Sequence, residues 1–162
     1  MLLTIEKVLI LKSVDMFSGI PEETLAEVSL ILEELTYGSG DTIVTEGEIG
    51  RSMYIIIDGL VRVHRGEQEL ARIGERAVFG ELAALSPEPR TATVTAVEET
   101  RVFRIDYETL HELMAEHPSL VSGIIQVLCG RVASLNAQLG TLREQVTQLN
   151  DRLRLVGAGQ DS

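Results

Sequence analysis

Basic side chains are scarce: 14 Lys and Arg stand against 25 Asp and Glu, a formal net charge of −11. They form no Lys/Arg-rich run, and such a surface repels a phosphate backbone, so nucleic-acid binding by these residues alone is not expected. Cysteine occurs once, as Cys129, which excludes an intramolecular disulfide and fits a reducing compartment. Long apolar runs are missing too. No segment approaches the roughly 18 uninterrupted apolar residues of a membrane helix. The apolar opening stretch, Met1 to Val14, is broken by Glu6, Lys7 and Lys12 and has no small-residue cleavage pattern, so no signal peptide is expected. His64, His111 and His117 show no ligand spacing with one another or with Cys129. With no nucleophile–base pair or His/carboxylate triad visible either, neither a metal, a cofactor nor catalysis is expected. These gaps leave a soluble, cytoplasmic, non-membrane binding protein.

What is present falls into stretches of different hydrophobic period. From Leu2 to about Leu35 the period is helical, with Leu25, Val28, Ser29, Leu32 and Leu35 at three- and four-residue spacing. Pro21 sits where the second helix begins, and Glu22 and Glu23 suit the positive end of its dipole. From Tyr37 to about Ile105 short β runs are cut by glycines, as at Gly38-Ser39-Gly40-Asp41, Glu46-Gly47-Glu48, Arg65-Gly66 and Ile73-Gly74-Glu75. Val61 and Val63 alternate with Arg62 and His64; Ala92, Val94 and Ala96 alternate with Thr91, Thr93 and Thr95. Turn signals at this interval indicate a sandwich or barrel, and Asp58-Gly59 reads as a hairpin turn. From Asp106, an N-cap by residue type, a short helix runs to His117-Pro118. His111 and His117 read as helix-surface residues.

Pro118 opens a longer helix whose apolar residues step by three and four from Ile125 through Leu128, Val132, Leu135, Leu139, Leu142, Val146, Leu149 and Leu153 to Val156. Mostly β-branched a positions with Leu at d favour a parallel two-stranded coil. A helix laid along its own barrel is the alternative; it suits the first two turns but not the narrow seam beyond Leu139. Gly140 falls at an exposed b position and costs about 1 kcal/mol against alanine. The expected organisation is N-terminal helices over 1–36, a β-roll with its following helix over 37–117, a dimerisation helix over 118–156 and a flexible tail over 157–162.

Chemistry concentrates between Phe79 and Val94. Gly80 permits close backbone approach, and Glu81 to Leu85 can form one helical turn before Pro87 and Pro89 stop it. The N–H groups opening that turn suit an anion. Arg90 shares parity with Ala92, Val94 and Ala96, so it is expected to point into the barrel, where bidentate geometry suits a phosphate. Glu81 can accept protons from ribose hydroxyls, as acids do in other nucleotide sites. The residues alone leave open a simpler arrangement in which Arg90 and Glu81 pair with each other.

Phe79-Gly80-Glu81-Leu82-Ala83 and Pro89-Arg90-Thr91-Ala92-Thr93-Val94 closely resemble the phosphate-binding cassette of the cyclic-nucleotide-binding domain family, including the nine-residue offset from Glu81 to Arg90. The resemblance extends from about Leu9 to Val132 and takes in Gly40-Asp41, Gly47, Tyr54-Ile55-Ile56 and Gly59. It implies an α+β fold, an antiparallel jelly-roll-like β-roll flanked by N- and C-terminal helices. It implies Arg90 on the cyclic phosphate, Glu81 on the ribose 2′-hydroxyl, and the backbone of Gly80, Leu82 and Ala83 in the same pocket. Thr91 follows the arginine where the family often has alanine; threonine there often accompanies tolerance of cGMP beside cAMP. The long helix resembles the dimer helix of the catabolite-activator type, which places Arg131 and Asn136 as candidate base contacts. One departure is visible: Arg76-Ala77 stand where the family often has a second Gly-Asp turn. The implied function is a cAMP sensor, with cGMP as the alternative ligand, acting as a homodimer through residues 125–156 on an unknown effector protein. A scaffold with an idle pocket is the alternative, and the cost of burying an unliganded arginine argues against it.

Overall fold

A computed structural model of the chain describes residues 1–160. It divides into two compact units, Met1–Gly123 and the part from Ile124 onward. In the first unit, helices α1 (Thr4–Lys12) and α2 (Glu22–Leu30) precede ten strands. These are β1 (Glu33–Tyr37), β2 (Thr42–Val44), β3 (Ile49–Gly50), β4 (Ser52–Asp58), β5 (Leu60–Arg65), β6 (Gln68–Gly74), β7 (Val78–Phe79), β8 (Glu88–Pro89), β9 (Thr93–Ala96) and β10 (Thr100–Asp106). Helix α3 (Glu81–Leu85) lies between β7 and β8, and α4 (Tyr107–Glu116) and α5 (Pro118–Gln160) follow β10.

The strands form two antiparallel four-stranded sheets, ordered β1-β10-β4-β7 and β2-β9-β5-β6, with a small β3-β8 ribbon. This is the antiparallel α+β roll that the cassette implied. Strand alternation decides the core: Val61 and Val94 are buried while Arg62 and Thr95 on the same strands are not. Inward residues of both sheets, Tyr54, Ile56, Val61, Phe79, Val94 and Val102, make one cluster, and Tyr54 stacks on Phe79 at 4.9 Å between ring centroids. Leu110 and Leu113 close α4 over the same unit, both nearly fully buried.

Three local expectations change. The helical period does not run to Leu35: α2 stops at Leu30, and Glu33–Tyr37 is a strand paired along its whole length with β10. Leu32 and Leu35 satisfy either period, and five ladder pairs on β10 outweigh helix propensity there. Asp58-Gly59 is not a hairpin, because β4 and β5 belong to different sheets. Gly59 (φ +109) is the corner between them, and a Cβ on it would lie 2.6 Å from Thr100 Cα. The hairpin is the next turn, at Arg65-Gly66, which joins the paired β5 and β6. Asp106 holds the N-cap position of α4 but makes no side-chain cap bond; its carboxylate accepts from Ser52 Oγ at 2.6 Å instead.

The Arg76-Ala77 departure keeps its turn. Arg76 adopts φ +69, a left-handed conformation ordinarily left to glycine. Arg76 N–H donates to Ile56 O and Ala77 N–H to Gly74 O, at 2.8 and 3.0 Å, holding it there.

In the second unit α5 continues without interruption, and Ile125, Val132, Leu135, Leu139, Leu142, Val146, Leu149, Leu153 and Val156 are all at least half exposed. The helix does not end at Val156: residues 157–160 of the expected tail are helical, and Asp161 and Ser162 lie outside the described residues. By length and composition alone, part of α5 is apolar enough to cross a membrane. It passes as an average over a window, although no uninterrupted apolar run exists.

Candidate ligand site

Phe79 ends β7 inside the core, and Gly80 turns the chain at φ +78 into α3. That turn needs glycine twice over. The backbone is left-handed, and a Cβ would lie 2.6 Å from Arg90 Nη1 and 2.7 Å from Ser52 O. Ala83 and Ala84 pack inward, whereas Leu82 is half exposed. The first turn of any helix leaves its leading N–H groups without intrahelical acceptors. Here Gly80, Glu81, Leu82 and Ala83 line an open cavity of about 190 Å³, together with Val44, Val63, Phe79, Arg90, Thr91 and Val94. Leu82 and Thr91 are exposed at this cavity, so a ligand can extend outward past them.

Arg90 precedes β9 rather than lying on it. Its backbone is fixed from both sides: its N–H donates to Glu48 O at 2.8 Å, and Gly47 N–H donates to its carbonyl at 2.9 Å. Strand parity does not place the side chain, because residues 91 and 92 form a bend before β9 begins; Arg90 lines the cavity with Thr91, Ala92 and Val94. Its Nη2 donates to Ser52 O at 2.8 Å. Nε and Cζ lie so close over Gly50 that a Cβ there would overlap them. Burial lowers the Arg90 pKa, and the neighbouring Tyr54 and Glu88 partly offset this. A partly desolvated guanidinium fixed in a cavity wall is a receptor for an anion.

Six of the eight residues singled out from sequence, Gly80, Glu81, Leu82, Ala83, Arg90 and Thr91, therefore meet in one cavity. Arg131 and Asn136 are exposed residues of α5 in the second unit. Thr91 is held by its backbone, since Arg65 Nε donates to its carbonyl at 2.8 Å. Sequence reading missed Gly50 and Ser52, which seat the Arg90 side chain, and saw Glu46-Gly47-Glu48 only as a turn. The one available signal was a Gly50 bordering the β4 run, which periodicity does not explain.

Fold and cavity together define a β-roll domain whose cavity, walled by an arginine and a helix N-terminus, suits a small anion. The chain belongs to the cyclic nucleotide-binding domain family, whose sequence profile matches residues 34–117. It is 32% identical over 138 residues to a CRP-like cAMP-activated global transcriptional regulator of Mycobacterium tuberculosis, an alignment covering 82% of this chain and 62% of that protein. Among solved structures it resembles the N-terminal domain of a transcriptional regulator from Streptomyces coelicolor A3(2). That match has a TM-score of 0.72 and 29% identity, covering 78% of this chain and 92% of the other. The regulatory domain of Toxoplasma gondii PKA with cAMP matches at TM-score 0.62 and 27% identity, over 68% and 44% of the two chains. The chain thus spans less than two thirds of the length of the M. tuberculosis regulator.

Proposed function

We propose that the protein is a cyclic-nucleotide sensor without catalytic activity, which binds cAMP and, more weakly, cGMP, and signals as a cytoplasmic homodimer. The observation that carries this reading is the fixed Arg90 guanidinium facing the α3 turn across one cavity. Arg90 holds the cyclic phosphate, Glu81 takes the ribose 2′-hydroxyl, and the Gly80, Leu82 and Ala83 backbone completes the cradle. Arg131 and Asn136 are the candidate base contacts. Thr91, exposed at the cavity edge, offers an acceptor to the guanine 2-amino group, so cGMP binds within about two orders of magnitude of cAMP, a gap of roughly 2.7 kcal/mol. Two relatives support the ligand class, one named as cAMP-activated and one solved with cAMP. Binding repositions the helices after Ile105, with Gly123 and Gly130 as flexible points, and α5 carries the change through a coiled coil over residues 125–156 to an effector protein. The seam, narrow and bordered by Gln126, Arg131 and Asn136, suits a partner helix better than lipid.

Calorimetry with cAMP and cGMP tests the reading. Arg90→Leu is expected to keep the circular dichroism spectrum and to weaken binding by several kcal/mol, because a desolvated phosphate loses its charge-assisted partner. A variant that titrates like the parent would sink the assignment.

A further inference from the structure

His111 lies on α4 and is no part of the cavity lining. It is half-buried, and its Nε2 lies 3.0 Å from the carbonyl oxygen of Leu85, the last residue of α3. The final turn of a helix leaves carbonyls without intrahelical donors. An N–H arriving from another element satisfies one of them and opposes the negative end of the helix. At five residues α3 is too short to persist by its own hydrogen bonds, so what holds its ends decides where it sits. Gly80 fixes one end, and the His111 imidazole meets the other.

His111 is itself oriented. The Tyr107 ring lies against it, with centroids 4.1 Å apart and a 44° tilt, and the Arg51 guanidinium sits over the Tyr107 ring at 5.0 Å. Arg51 also pairs with Glu108, and its carbonyl accepts from Tyr107 N–H at 2.7 Å. The residues on either side of Arg51 are Gly50 and Ser52, the two that seat the Arg90 side chain. A closed circuit results: Gly50-Arg51-Ser52 holds Arg90 and α4, and α4 holds α3 through His111.

We infer that His111 is a positioning residue for the nucleotide site, capping α3 from α4 so that the opposite end of α3 stays in register with Arg90. The inference rests on the cyclic-nucleotide reading above. A carbonyl only accepts, so the contact requires His111 with a proton on Nε2, which the Nε2–H tautomer and the cation both carry, and the role is geometric.

His111→Phe keeps a ring against Tyr107 and removes the donor; His111→Gln keeps a donor. Hydrogen exchange on the full chain without nucleotide is expected to show Ser86 and the α3 amides exchanging about fivefold faster in the Phe variant, the net effect of one lost hydrogen bond, with β4 and β10 unchanged. Calorimetry is expected to show cAMP binding about fivefold weaker in the Phe variant and partly restored in the Gln variant. Unchanged α3 exchange would overturn the cap. Faster exchange with unaltered affinity, or equal losses in both variants, would overturn the positioning role. A parent protein that binds neither cAMP nor cGMP would refute the nucleotide reading and the positioning role with it, while exchange alone would still decide the cap.

Discussion

The Arg90 side chain passes between two glycines that differ in what they require. Gly80 combines a left-handed backbone with two close neighbours, so any side chain there disturbs turn and arginine together. Gly50 has an ordinary backbone, absent from the positive-φ glycines, yet a Cβ on it would overlap the Arg90 guanidinium. Gly50→Ala therefore separates the site from the fold. The variant should melt within a few degrees of the parent while losing at least about tenfold in cAMP affinity, roughly 1.4 kcal/mol. Thermal melts paired with calorimetry check both halves, and unaltered binding would show that the guanidinium has another route to the cavity. Arg90 itself was legible because a specific motif points to it. Gly50 was not, because its role exists only where two segments forty residues apart in sequence come together.

The strands and glycine turns of the roll could be read from alternation, and the cassette from its resemblance to the family motif. What escaped was how the strands pair. Alternation shows which side chains face inward but not which sheet a strand joins, so Asp58-Gly59 looked like a hairpin although β4 and β5 part there. The corner depends on Thr100, fully buried, whose Oγ1 accepts from Leu60 N–H at 3.2 Å and donates to Glu98 O at 2.9 Å. A methyl at Gly59 meets both the positive φ and the Thr100 backbone. Gly59→Ala is expected to destabilise the domain by about 2–3 kcal/mol, read as a lower urea midpoint at unchanged slope. A midpoint equal to the parent's would mean the corner tolerates a side chain. The boundary of α2 was illegible for a related reason, since Leu32 and Leu35 fit two periods and only the presence of β10 decides between them.

For the molecule as a whole, the exposed seam of α5 is the feature most in need of a partner. Ten a and d residues in unbroken succession predict a parallel homodimer at micromolar concentration. Leu142→Asp combined with Leu149→Asp should leave the first unit folded and yield a monomer in sedimentation velocity; a monomeric parent would refute the pairing. Charge is distributed unevenly along the same chain. Of the 25 acidic residues only Glu144, Asp151 and Asp161 lie beyond Pro118, so the nucleotide-binding unit carries nearly all of the negative charge. A cyclic nucleotide is an anion and approaches that unit against a repulsive field, which salt screens over roughly 8–10 Å. In the proposed site Arg90 would act only at contact, after that field has been crossed. On the proposed reading the acidic surface slows arrival and the half-buried guanidinium slows departure, so residence time rather than capture rate would set how long such a sensor stays switched after the nucleotide concentration falls.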